Sequence, residues 1–289
     1  MSDFGDAIKE SRDFDVAILG IPFDAKSCYL RGAAKGPQAI RAASSGKAID
    51  PWTELGVNLE DDLVMVDRGD LKMAENFIDN FSLIEKEILF ILDKGAVPII
   101  LGGDHSITYP LVKAFRQKFK EIDILHFDAH PDLSDELYGD RFSHACPLAR
   151  ILEDGLCQRV VQVGIRAATG EHWQQAQKYG VEMIEMKTFK SSLALNFDHP
   201  LYISFDLDAL DPAFAPGVAH HEPGGLTTRQ VIGILHRLKA EIVGMDVVEL
   251  NPDRDPSGIT AAAAVKIIKE VAGKICYQIS KSGAHLPRI

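Results

Sequence analysis

Apolar residues in this chain gather in short unbroken runs, separated by longer stretches with a helical period. The runs are "VAILGIP" from Val16, "AVPIILGG" from Ala96, "IDILHFD" from Ile122, "RVVQVGIR" from Arg159, "LYISFDLD" from Leu201 and "EIVGMDVVEL" from Glu241. A strand covered on one face alternates apolar and polar residues; one covered on both faces does not, so these six read as buried parallel strands. Between them the period changes. Gly36-Pro37 opens a helix with proline at a natural first-turn position. "FIDNFSLIEKEILFILDKG" places apolar residues at steps of three and four and stops at Gly95. "TTRQVIGILHRLKA" begins on a threonine cap, and "GITAAAAVKIIKEVAGKI" is the last helix. Alternation of this kind gives a parallel sheet wrapped by helices on both faces. With no internal repeat, low-complexity run or linker, residues 1–289 read as one domain.

Composition narrows the function. The formal net charge is −11, and the positives near Arg116–Lys120 read as the solvated face of a helix-like stretch, so a nucleic-acid partner is not expected. No apolar stretch reaches the length of a membrane span, and "MSDFGDAIKESRD" lacks the apolar region of a signal peptide. Cys28, Cys146, Cys157 and Cys276 show no CxxC spacing and read as reduced thiols in a cytoplasmic protein.

The polar residues that matter follow the strand runs. "LGGDHS" supplies Asp104 and His105; "HFDAHPD" supplies His126, Asp128, His130 and Asp132; "SFDLDALDP" supplies Asp206, Asp208 and Asp211; "VVELNP" supplies Glu249. In a parallel sheet these four ends converge on one rim, where open α/β sheets bind ligands. Carboxylates crowded together must protonate or find a cation, and these motifs contain no Lys or Arg. A metal is the natural counter-charge. Carboxylates with a few imidazoles and no thiolate suit Mn²⁺, less well Zn²⁺ or Fe²⁺. The number of ligands exceeds what one ion takes and suits two ions with bridging carboxylates, roughly 3.5–4 Å apart. Asp104 reads as a turn residue or cap, His126 as a buried residue orienting a ligand, and Asp211 as turn chemistry before Pro212.

"GGDHS", "FDAHPD" and "SFDLDALDPAFAPG" closely resemble the metal-binding signatures of the ureohydrolases, the arginase and agmatinase family. The likeness runs from "GIPFD" to "MDVVELNP", and "DILHFDAHPD", "FSHACPLARIL", "VVQVGIR" and "DPAFAPGVAHHEPGGL" resemble plant arginases in particular. The resemblance implies a three-layer α/β/α sandwich on a mainly parallel, about eight-stranded sheet. It implies two Mn²⁺ ions per chain. His105, Asp128, Asp132 and Asp206 would hold one, and His130, Asp128, Asp206 and Asp208 the other, with Asp128 and Asp206 bridging. It gives His144 a part in proton transfer and Glu249 the substrate guanidinium. A trimer or hexamer is implied in the same way.

The substrate is harder to read. The longest matching stretches favour L-arginine, hydrolysed to urea and ornithine. The residues that read the amino-acid end in animal arginases are absent: Leu133 and Ser134 follow Asp132, and "AATGEH" follows Arg166. That favours agmatine. In the loop "SDELYGDRFS", Ser134 and Arg141 are candidate contacts for a substrate carboxylate, although Arg141 reads slightly better as a solvated surface residue. At most one of the adjacent His220 and His221 can face substrate. Rival readings are a one-zinc amide deacetylase on a related sheet, or a non-enzymatic metal-loaded descendant.

Overall fold

Each of the six apolar runs is a strand in the computed structural model, which describes residues 8–9, 11, 13–45 and 50–281. The N-terminal charged stretch lies largely outside the described residues. The strands are β1 Val16–Ile21, β2 Met65–Asp70, β3 Val97–Gly102, β4 Asp123–Phe127, β5 Arg159–Ile165, β6 Glu182–Glu185, β7 Leu201–Asp206 and β8 Ile242–Val248. They form one eight-stranded sheet in the order β2-β1-β3-β8-β7-β4-β5-β6, parallel at every pairing. The helices are α1 Gly36–Ser44, α2 Leu59–Asp62, α3 Phe81–Asp93, α4 Thr108–Phe115, α5 Pro147–Glu153, α6 Gly170–Tyr179, α7 Thr228–Arg237 and α8 Ile259–Lys281.

Both faces of the sheet are covered. Val16 and Ile18 of β1 pack in one core with Ile40 of α1, Ile234 of α7 and Ile268 of α8. Ala17, Leu19 and Ile21 turn into the other with Ile88 of α3, Leu111 of α4 and Ile151 of α5. This two-sided burial is why the runs show no alternation.

β2 and β6 stand at the two edges and escaped the sequence reading. Their sequences, "MVDRGD" and "EMIE", are polar because an edge strand is exposed along one side. β2 is held instead by a buried charge pair: Arg41 of α1 donates to both Asp67 oxygens, at 2.7 and 2.9 Å, and to Asp70. A second correction concerns Arg116–Lys120. Helix α4 ends at Phe115, and Arg116 turns back to the Phe119 carbonyl at 2.7 Å, so these positives belong to a turn.

β3, β8, β7 and β4 are the four consecutive central strands. They are also the four whose ends carry the acidic and imidazole motifs. The chain passes from β3 to β4 across the places later filled by β8 and β7. This reversal of strand order opens a crevice at the carboxyl ends. No helix among the described residues is long and apolar enough to cross a membrane.

Candidate metal centre

Each strand end is fixed before its side chains meet. After β3, a Cβ on Gly103 would lie 1.9 Å from the Phe23 carbonyl oxygen, so only glycine fits there. Asp104 is a cap, as its position suggests: it accepts from Ser106 N at 3.1 Å and from Lys26 N at 2.8 Å. After β4, the Asp128 carbonyl sits 2.8 Å from where a Gly164 Cβ would be, and Gly164 has φ +109°. After β7, Asp206 caps its own turn by accepting from Asp208 N at 2.7 Å. After β8, Glu249 N donates to the Gly103 carbonyl at 2.8 Å, and its carboxylate accepts from His105 N at 2.9 Å.

Two groups of ligand-type side chains result, and they share Asp128. His105 Nδ1 lies 3.2 Å from Asp128, 3.1 Å from Asp132 and 3.2 Å from Asp206. His130 Nδ1 lies 2.9 Å from Asp208 and 3.4 Å from the other oxygen of Asp128. All six residues are buried except His130, which is half-buried. Asp128 Oδ2 is buried and has no hydrogen-bond partner, although His105 and His126 stand beside it. A buried carboxylate oxygen with no donor is costly. Burial and the nearby Asp208 and Asp128 push Asp206 well above the usual carboxylate range, and Asp208 is raised by burial and Asp128. Acids that repel one another, an orphaned oxygen between them, and imidazoles aimed at the same point fit a divalent cation. Oxygen and nitrogen donors without sulfur fit a metal harder than a structural zinc prefers.

A polar network behind the cluster sets the ring states. Asp246, fully buried in β8, accepts from Thr108, Tyr202 and Ser204 hydroxyls at 2.9, 2.7 and 2.9 Å. Ser204 spends its proton on Asp246, so it accepts from His105 Nε2 at 2.8 Å. That leaves His105 Nδ1 as a bare lone pair facing the carboxylates. Gln162 donates to His126 Nδ1 at 3.0 Å, which leaves the ring proton on His126 Nε2; that nitrogen stands 3.0 Å from Asp128 Oδ2 without forming a hydrogen bond to it. His126 therefore packs behind Asp128 and offers no lone pair to a cation. Arg166 donates to five backbone carbonyls, including those of Asp208 and Ala209, and so pins the turn that carries Asp208. Ser204, Asp246, Gln162 and Arg166 were not picked out from sequence. The acid within the apolar run "GMDVV" was the available signal for Asp246.

Asp132 and Glu249 are held at φ +52° and +65°, in the left-handed region that side chains avoid. Such positions cost about 1–3 kcal/mol each and persist at sites where direction matters more than comfort. Both face a cavity of about 200 Å³ that His130, His144 and Asp208 also line. His144 Nδ1 is 3.7 Å from Glu249. Burial pushes Glu249 well above its ordinary range and pushes His144 down to about 4.

The substrate-tail candidates separate. Ser134 bonds to His172 Nε2 at 3.0 Å, and His172 lines the cavity. Arg141 does not reach it; its guanidinium donates to Asp135 at 2.8 Å and Glu153 at 2.6 Å on the surface, which is the solvated alternative. His220 lines the cavity, while His221 bonds to the Pro216 carbonyl at 2.7 Å, so one of the pair faces inward. Asp211 is turn chemistry, accepting from Ala213, Gly224 and Gly225. Cys146 is buried and its thiol is raised to about 12, mainly by burial, which leaves it inert.

Strand order and acid cluster together define a candidate metal site at the strand ends of an α/β sheet, and residues 14–273 match the Arginase family. The chain belongs to that family and is a ureohydrolase-class enzyme. It is 42% identical over 275 residues to "Arginase 1, mitochondrial" of Arabidopsis thaliana, covering 90% of this chain and 80% of that one. The solved arginase of Medicago truncatula superposes with a TM-score of 0.86 at 42% identity, over 90% of this chain and 87% of that one. "Guanidino acid hydrolase, mitochondrial" of Homo sapiens is 35% identical over 89% of this chain and 77% of its own length.

Proposed function

We propose that the protein hydrolyses L-arginine to urea and ornithine, with two Mn²⁺ ions per chain. The observation that carries this is the pair of ligand groups sharing Asp128, opening on the same cavity as Glu249. His105, Asp128, Asp132 and Asp206 would hold one ion; Asp128, His130, Asp206 and Asp208 would hold the other. When bound, two such ions make water acidic enough to supply a hydroxide-strength nucleophile near neutral pH.

The chain's own residues then orient and exchange protons. A guanidinium is resonance-stabilised and reacts only when its carbon is held in place. Glu249 supplies a planar carboxylate for paired hydrogen bonds to it. Burial and the nearby Asp104 disfavour the ionised form of Glu249, and an incoming cation relieves that cost. Asp208 passes a proton to the departing amine. His144, kept neutral by burial, exchanges protons between the site and solvent.

Similarity at 42% to plant arginases, against 35% to a guanidino acid hydrolase, favours arginine. One feature favours agmatine as the second reading. Among the described residues, no Arg or Lys lines the cavity, so an α-carboxylate would meet hydroxyl and imidazole donors such as Ser134, His172 and His220. We further infer one ureohydrolase domain across residues 1–289, assembled as a trimer or hexamer. A cytoplasmic home is inferred from the four unpaired cysteines, against relatives whose names place them in mitochondria.

The test is urea release from arginine, agmatine and guanidino acids after reconstitution with Mn²⁺. Arginine should show the highest kcat/KM. A preference for agmatine of about a hundredfold or more would overturn the substrate and leave the chemistry. Release of urea from none of them would overturn the reaction.

A further inference from the structure

The mouth of the cavity holds a second donor set of a different chemical kind. Cys28 Sγ lies 3.2 Å from His144 Nε2 and 3.9 Å from His220 Nε2. The ligand-type atoms of all three residues fall within 4.8 Å of one another. The His144 and His220 rings are nearly parallel, at 13°, with centroids 5.8 Å apart. Three separate loops meet here: β1 to α1, β4 to α5 and β7 to α7. A thiol that only filled space would need no imidazole nitrogen directed at it, and here two converge.

The spacing is that of a tetrahedral site. With Zn–S of about 2.3 Å and Zn–N of about 2.0–2.1 Å, sulfur and nitrogen ligands stand about 3.5 Å apart. The two observed sulfur–nitrogen distances bracket that value. We propose that Cys28, His144 and His220 form a zinc-binding site at the cavity mouth, separate from the carboxylate floor, through which zinc inhibits the enzyme.

The two sites select different ions. Thiolate and imidazole take a soft or borderline metal, whereas the oxygen-rich floor suits a harder one. On binding, the Cys28 thiol loses its proton to solvent and the thiolate bonds to zinc, with no change of oxidation state. Three protein ligands leave the fourth position open to water from the cavity. Zinc on His144 Nε2 would occupy the nitrogen needed for proton exchange. The binding stands on the geometry alone; the inhibition rests on the role given to His144 above.

The experiment uses the Mn²⁺-loaded chain with Mn²⁺ in excess, titrated with zinc, and reads two signals. One is the reaction of a thiol reagent with Cys28, which is exposed, while Cys146 and Cys276 are buried and Cys157 is half-buried. The other is urea release, each variant normalised to its own zinc-free rate. Zinc should shield one thiol and inhibit over the same concentrations, without releasing manganese. Cys28→Ser should raise the zinc needed for half-inhibition about tenfold or more. Shielding without inhibition would uphold the site and count against the role of His144. Equal zinc sensitivity in Cys28→Ser, unshielded Cys28, or inhibition that tracks manganese release would each overturn the proposal.

Discussion

On the floor of the cavity, three of the six ligand-type side chains are backed by groups from other elements. Ser204 and Asp246 set His105, Gln162 and His126 back Asp128, and Arg166 pins the turn of Asp208. At the mouth, Cys28 is exposed, and in the surface loop beside it Tyr138 is 90% exposed and Arg141 is committed to surface acids. The floor stands on the ends of central strands, where register leaves little freedom; the mouth stands on loops. The reaction is thus assigned to the rigid part, and the choice of guanidino compound to the part that sequence changes move easily.

The sharpest way to break this contrast is at Asp128, shared by both ligand groups. Asp128→Asn removes one charge from a buried set of opposite and like charges. Disrupting such a set costs about 3–5 kcal/mol, or roughly 10²–10⁴-fold. Metal content by elemental analysis and urea release should fall together. A fully active protein with one tightly held ion would mean that the floor does not work as a shared pair.

Glu249 faces the cavity from the floor but holds no ligand role. Glu249→Gln should keep its metal and lose kcat/KM by about 2–4 kcal/mol, the scale of a charge-assisted contact. If kcat/KM hardly moved while metal stayed bound, Glu249 would be a structural acid, serving only His105 N.

How much of this contrast the sequence carried depends on the same distinction. Strand ends with DHS, DxHxD and DxD patterns are local, so His105, Asp128, His130, Asp132, Asp206 and Asp208 were legible one motif at a time. The six central and near-central strands were legible because two-sided burial writes itself as unbroken apolar runs. β2 and β6 were not, since edge strands tolerate polar residues. Ser204 and Asp246 were hidden because their partners lie on other strands: the Ser204 bond to His105 spans 99 residues of sequence. Cys28 looked like one of four scattered thiols until three loops brought it to His144 and His220.

Ser204→Ala tests whether the network behind the floor matters. His105 would lose the acceptor that fixes its tautomer, and Asp246 would lose one of three donors. Metal affinity should weaken about 10–100-fold, and saturating metal should restore most activity. Unchanged affinity would show that the strand ends alone aim the ring.

His144 lies where floor and mouth meet, and its burial makes a pH signature. Its pKa falls from near 6.5 unfolded to about 4 folded. Between those values the unfolded chain binds more protons, so its contribution is intact above pH 6.5 and lost as pH falls toward 4. In the metal-free protein, going from pH 7 to 5 should cost wild type about 2 kcal/mol more than His144→Asn, by chemical denaturation. Equal losses would place His144 in solvent, as part of the mouth alone.

The smallest effect is expected at Arg141, and it bears most directly on the mouth. As the charged group of the loop after Asp132, it is the obvious candidate to hold an arginine carboxylate. Its guanidinium instead satisfies Asp135 and Glu153, and Arg150 already pairs with both of those acids. To reach substrate, Arg141 would have to abandon two partners for one. Exposed pairs of this kind contribute little. Arg141→Ala should therefore change kcat/KM for arginine by no more than a factor of about two, with agmatine unaffected. A selective loss of tenfold or more for arginine would show that the loop rearranges around substrate and that Arg141 reads its carboxylate. The mouth would then be a recognition surface built only when the ligand arrives, and the contrast with the preformed floor would be sharper still.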